Sequence, residues 1–258
     1  MFCFIGAPNS AQAFASTPPN LTSNAESLTR PLPCRWQNRI DETVAPICLV
    51  LYAPSVPISP LQAATDVMDR ADALLAQASS TTDPLVADDT RRAAIALGVA
   101  ALDTYLHWAL ADTPLKQMPT ALKGLDVPFG DLVDLSEAMV QNRAKIRPKV
   151  RARGVLERVI LKLTFQSSRG VEDAMLMLGK RKAFNKISTE ISPPQAVQDI
   201  KDRLNRIVHR RNQIVHEGDL QRQSRPQQIK RELLADAPIQ TDLDWLRTLI
   251  DAIDRVLA

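Results

Sequence analysis

Glycine and aromatic residues are scarce in this chain of 258 residues: eight Gly, two Tyr and 4% aromatics in all. An all-β domain draws on glycine for its turns and on aromatic residues for its strands, so that class is disfavoured. Cysteine is scarcer still, and Cys3, Cys34 and Cys48 make an odd, widely spaced set. They provide no disulfide framework and suit a reducing compartment, which points to the cytoplasm. No G-x-G-x-x-G, no Walker lysine loop and no C-x-x-C pair occurs. That removes the commonest nucleotide and zinc signatures. Neither sign of charge dominates, since 32 Lys and Arg against 29 Asp and Glu leave only +3. Global charge therefore names no partner, and any anion binding must come from local clustering. Apolar sequence is plentiful. With 45% hydrophobic and 24% charged residues, the chain is expected to bury a core and not to be disordered throughout.

The first sixty residues differ from the rest. They hold nine of the eighteen prolines, all three cysteines, no lysine and only six charged residues. Pro18, Pro19, Pro31, Pro33, Pro46, Pro54, Pro57 and Pro60 interrupt any helix long enough to nucleate. Residues 1–60 are read as a poorly ordered, Pro-rich leader, or as upstream sequence included by too early a start. The run from Met1 to Ala15 is apolar, but the first basic residue is Arg30, so the positive n-region of a signal peptide is missing. Ile47–Tyr52 is far short of the roughly 20 apolar residues needed to cross a bilayer. No membrane association is expected.

From residue 61 to 258 apolar residues recur at intervals of three and four, the spacing of a helix with one buried face. Residues 61–79 place Val67, Leu74 and Leu75 together. A second helix is expected from about Asp88, carrying Ile95, Val99, Leu102, Leu106 and Ala109. Pro114 and Pro119 then break the chain before a shorter helix over Phe129–Gln141. A long basic helix follows from Pro148, a good first helical residue, to about Phe165. Ser168 reads as the cap of a helix that Gly179 closes. Ser192-Pro193 announces a helix ending at Glu217 and Gly218, and a last helix from Thr241 carries Leu243, Leu246, Ile250, Ile253 and Leu257. No stretch after residue 60 alternates with period two over five residues. The expected fold is an all-α bundle.

One of these helices breaks its own pattern. At about 100° per residue, Leu204, Ile207, Val208, Ile214 and Val215 form an apolar stripe, and Arg211 falls near its middle. A guanidinium stays charged at any physiological pH. It therefore requires an anion, a carboxylate partner or a wet interface. Asp103, on a neighbouring helix, is a candidate internal partner. A second stripe carries Asn205, His209, Asn212 and His216. His209 and His216, seven residues apart, are nearly superposed, but no third ligand accompanies them and no metal site is expected. Arg211 and His216 lie about 140° apart on one straight helix. A second copy of the helix across a two-fold axis is one way to bring the His216 of one chain towards the Arg211 of the other.

The string Arg211-Asn212-Gln213-Ile214-Val215-His216, followed by Glu217-Gly218-Asp219, resembles the R-[N/D/H]-x-x-x-H signature of HEPN domains. Arg91–Leu110 (RRAAIALGVAALDTYLHWAL) resembles the opening helix of the RiboL-PSP-HEPN subgroup, and Leu163–Gly179 (LTFQSSRGVEDAMLMLG) its middle "FQS" element. Together the three segments cover about residues 85–220 in the right order. The resemblance implies an up-and-down helical bundle over residues 61–258 that dimerises, with two R-x4-H motifs meeting in the dimer cleft. It also implies metal-independent endoribonuclease activity in a toxin–antitoxin, phage-defence or stress role, with an antitoxin or other protein as a further partner. By this resemblance Arg211 and His216 are the catalytic pair and Asn212 the polar residue beside the Arg. His209 and Asp103 are candidate supporting residues. Some HEPN domains are non-catalytic binders of RNA, nucleotide or protein, and that is the alternative reading.

The motif suits a reaction in which RNA supplies its own 2′-hydroxyl nucleophile. His216 is of the side-chain type that exchanges protons near neutrality, Arg211 can grip phosphate oxygens, and no cofactor is called for. Residues 143–162 add Arg143, Lys145, Arg147, Lys149, Arg151, Arg153, Arg158 and Lys162 against Glu157 alone. Lys180, Arg181, Lys182 and Lys186 form a second basic cluster. Arg147, Lys149, Arg151, Arg153, Lys180, Arg181 and Lys182 are the expected RNA-backbone contacts. Phe165 and Phe184 are the only aromatic residues near them, so base stacking has little support.

Overall fold

The computed structural model describes residues 57–141, 148–221 and 228–258. The leader expectation falls almost wholly outside these residues. Helix α1 (Pro60–Ser80) begins in a capping box: Ser59 accepts the Gln62 N–H, and the Gln62 side chain accepts the Ser59 N–H. Its buried face is Ala64, Met68, Ala71, Leu75 and Ala78, while Val67 and Leu74 are half-buried. Helix α2 (Pro84–Asp112) starts four residues before the expected Asp88, because the Asp83 carboxylate accepts the N–H groups of Leu85 and Val86. Asp followed by Pro is a cap and a first helical residue, so the start is explained locally. Only residues 81–83 separate α1 from α2, and the two pack as an antiparallel hairpin.

Helix α9 (Asp236–Leu257) lies beside α2 and runs in the same direction. Arg91 meets Asp236, Gly98 meets Leu243 and Tyr105 meets Asp254. Against α1 it runs the opposite way, pairing Ser79 with Asp236 and Asp69 and Asp72 with Arg247. Helix α8 (Val197–Glu217) is antiparallel to α9. Its Arg203 stacks on Trp245, and its Arg210 reaches the hollow beside Pro238. The four long helices thus alternate in direction along the chain, and the core between them includes Leu102, Leu106, Leu204 and Ile250.

Shorter elements join α2 to α8. A 3-10 turn (Leu115–Gln117) precedes α3 (Thr120–Lys123), α4 (Phe129–Gln141), α5 (Pro148–Ile160), α6 (Ser168–Met177) and α7 (Ala183–Glu190). Helix α5 packs on α2 and α4, and α7 packs on α8 and α9. The described residues form no strand. Their one extended pairing is an isolated bridge between Leu220 and Arg231. The all-α class expected from the sequence is what the described residues adopt.

Several boundaries differ from expectation, each for a visible reason. Helix α5 stops at Ile160 and not near Phe165, whose N–H is taken by the Asp103 carboxylate at 2.7 Å. Ser167 and not Ser168 caps α6, accepting the Gly170 N–H at 3.1 Å. Helix α8 begins at Val197 and not at Pro193, because Pro194 disfavours helical backbone in the residue before it. Helix α9 begins at Asp236, five residues before Thr241, with Pro238 tolerated in its first turn. Helix α7 was not anticipated at all; it opens after Lys182 at φ 53° and buries Phe184 and Ile187.

Candidate functional site

The apolar stripe of α8 is deeply buried at its start and shallower towards its end. Ile200, Leu204, Ile207 and Val208 are buried, Arg211 and Ile214 half-buried, and Val215 exposed. Arg211 therefore stands where the stripe leaves the core. Its Nη1 donates to Asn212 Oδ1 at 3.1 Å, while its Nε is shielded from solvent and has no hydrogen-bond partner. No carboxylate among the described residues forms an ion pair with it. An unsatisfied buried donor costs about 1–3 kcal/mol, so this group stands ready for an acceptor.

His216 is exposed in the last turn of α8, and His209 is exposed on the same side two turns earlier. The helix ends at Gly218, where φ is 62°; the N–H groups of Gly218 and Asp219 both donate to the Gln213 carbonyl. Asp219 also has a positive φ, 61°, which is uncommon outside glycine. Its side chain explains why that backbone is held. Asp219 and Arg92 are the charged side chains that the described fold buries, at 2% and 6% exposure. Arg92 Nε donates to Asp219 Oδ2 at 2.7 Å, and Arg210 grips both carboxylate oxygens, one of them at 2.9 Å. Arg92 also reaches Asp89 at 3.0 Å and the Glu232 carbonyl at 3.3 Å. This cluster fastens the end of α8 to the start of α2. Nothing in the spacing of Arg92, Arg210 and Asp219 marked it in the sequence.

Asp103 does not pair with Arg211. Its carboxylate accepts the Phe165 N–H at 2.7 Å and Gln166 Nε2 at 2.9 Å, with His107 Nδ1 at 3.5 Å. It therefore organises the loop before α6 and not the α8 motif. His107 spans the same junction, with Nδ1 2.7 Å from the Asp103 carbonyl and Nε2 3.2 Å from the Ile160 carbonyl. Asn205, from the polar stripe of α8, exchanges two 3.0 Å hydrogen bonds with Ser168. The polar stripe thus divides: its first member holds α6 in place, and His209, Asn212 and His216 face outward.

Of the basic residues, Lys149 and Arg151 are exposed on the first turn of α5. Arg153 is half-buried and donates to the Thr113 carbonyl at 3.1 Å. Arg147 lies outside the described residues. Lys180, Arg181 and Lys182 occupy the link between α6 and α7. No hydrogen bond or ion pair joins either cluster to Arg211 or His216 among the described residues. A polar hollow of ≈ 480 Å³ beside the end of α8 is lined by His209, Arg210, Gln213 and Glu232, among others. No group of three or more His, Cys, Asp or Glu among the described residues is disposed to hold a metal. Comparison with protein families, with curated proteins and with solved structures finds no match to this chain.

Proposed function

We propose that this protein is a metal-independent, cytoplasmic endoribonuclease of HEPN type. It acts as a homodimer in a toxin–antitoxin, phage-defence or stress setting, where an antitoxin is a further protein partner. The observation that supports this reading best is the contrast between two adjacent arginines. Arg210 is consumed by Asp219, whereas Arg211 has an unsatisfied Nε and forms no ion pair among the described residues. A half-buried guanidinium with a shielded, unsatisfied Nε and no internal ion pair is suited to an external anion, and a phosphodiester offers paired oxygens to a guanidinium fork.

In the proposed reaction the RNA 2′-hydroxyl attacks the adjacent phosphorus. His216 of one protomer removes the 2′ proton, a phosphorane forms, and its added negative charge strengthens the grip of Arg211. The 5′-oxygen then leaves as a hydroxyl, protonated by the second imidazole of the dimer cleft. The products are a 2′,3′-cyclic phosphate and a 5′-hydroxyl. The two-fold copy matters because one straight helix separates Arg211 from His216 by about 140°, and Asn212 holds the Arg211 fork in place.

Purified protein incubated with RNA in EDTA is expected to cleave it and leave those ends. Arg211→Ala and His216→Ala should each reduce the rate by at least about 100-fold, with circular dichroism and oligomeric mass unchanged. Undiminished cleavage in both variants would overturn the proposal.

A further inference from the structure

Cations are unevenly matched over the described surface. Along α8 and α9, Arg203 and Arg206 share Asp242, Arg210 holds Asp219, and Arg247 joins Asp69 and Asp72. The place where the chain leaves α2 and later enters α5 is different. Lys116, on the 3-10 turn, and Lys149 and Arg153, on the first two turns of α5, line one open cleft of ≈ 690 Å³. None of the three makes an ion pair among the described residues. Both lysines are exposed, while Arg153 is braced by its bond to Thr113. Glu157 is the one acid lining the cleft, so its walls carry three positive charges against one negative. Leu115 and Val150 contribute apolar floor, and no aromatic ring lines the cleft. Arg151, exposed on the same turn as Lys149 and without an ion pair among the described residues, adds positive charge next to the cleft.

We infer that this cleft is a track for the phosphodiester backbone of an RNA strand, held through Lys116, Lys149 and Arg153 without reading its bases. Lysines are point charges on flexible stems and grip phosphate without directional specificity. The absence of a ring removes the stacking that would register individual bases. The open shape and continuing charge fit a long polyanion better than an enclosed small ligand. Lys116 is new to the set of RNA-facing residues, and Arg153, already expected there, is held in place by its bond to Thr113. The choice of RNA rests on the ribonuclease reading; the cation cluster does not.

The test uses full-length protein and a short, labelled 2′-O-methyl RNA, which lacks the nucleophile and cannot be cut. Binding is followed by fluorescence anisotropy over a salt series for the wild type and for the Lys116→Ala, Lys149→Ala double variant. The double variant should bind about tenfold more weakly at low salt. Its log–log salt dependence should be shallower by about 1.4, near 0.7 for each lost cation. A DNA strand of equal length should show the same loss, since only the backbone is gripped. Equal affinity and equal salt slope in the two proteins would overturn the assignment. So would saturable binding of a nucleoside diphosphate that the double substitution abolishes while strand binding persists. Cleavage of unmodified RNA is scored separately. A protein that binds through this cleft and never cuts refutes the ribonuclease reading alone, whereas one that cuts with unaltered affinity in the double variant refutes the cleft alone.

Discussion

Arg210 and Arg211 are neighbours on one helix and both half-buried, yet their partners differ. Arg210 turns towards the end of α8, where Asp219 and Arg92 complete a buried charge cluster. Arg211 follows the apolar stripe outward and, among the described residues, bonds to Asn212. Breaking a buried ion pair from one side leaves uncompensated charge, so Asp219→Ala should lower unfolding free energy by about 3–5 kcal/mol, measured by urea denaturation. Replacing Arg92 and Arg210 by apolar residues of similar volume and Asp219 by Gly, which its positive φ admits, should restore most of that loss. A triple variant as unstable as the single one would show that the cluster is not what holds this end of α8. The anomaly at Arg211 was legible in the sequence, because a helical wheel reveals a cation in a greasy stripe. The cluster was not. Its acid lies beyond the helix stop on positive-φ backbone, and Arg92 reads as an ordinary polar residue at the start of α2. The partners of Asp103 are hidden for a related reason: they come from the Phe165–Gln166 loop, which periodicity does not place.

At the scale of elements, the stops were easier to read than the starts. Gly179 closes α6 as expected: it donates to the Leu176 carbonyl while Lys180 donates to Met175, a Schellman arrangement that glycine permits. The start of α9 depends instead on tertiary partners, since Asp236 is anchored by Arg91 and Ser79 from two other helices. Helix α7 was hidden behind a run of basic residues that read as surface. The loop between α5 and α6 gives the sharpest test at this scale. A Cβ on Gly170 would lie 2.8 Å from the Thr164 carbonyl oxygen and 2.9 Å from Phe165 Cα, both backbone atoms. Gly170→Ala should therefore destabilise by about 1–3 kcal/mol in a thermal melt. An unchanged melting temperature would mean that the loop moves aside freely.

Across the whole molecule, α2 has the length and hydropathy of a membrane span, yet here it forms the centre of the bundle with α1 and α9 packed on it. Two polar links tie α2 to α9 and respond to pH in opposite ranges. Arg91, then Ser79, hold the Asp236 carboxyl below the ordinary carboxylate value. That link is fully present at neutral pH and is lost as the pH falls through the lowered value. Burial, then Asp254, push the Tyr105 phenol above its ordinary value. The unfolded chain ionises this tyrosine near pH 10 while the folded one resists, so stability should decline as the pH climbs past about 10. Tyr105→Phe should flatten the alkaline decline and cost about 1 kcal/mol at neutral pH through the lost 2.8 Å bond to Asp254. Denaturation curves across the pH range check both statements, and an undiminished alkaline slope in Tyr105→Phe would contradict the second.

The parallel course of α2 and α9 also sets a timetable for synthesis. The ribosome makes α1 and α2 early, but their shared flank is roofed by α9, the last of the described helices in chain order. Until α9 emerges, the growing chain must carry Leu102 and its neighbours uncovered, a state prone to sticking to other chains. A nascent chain stalled before residue 236 should therefore be a client for chaperones.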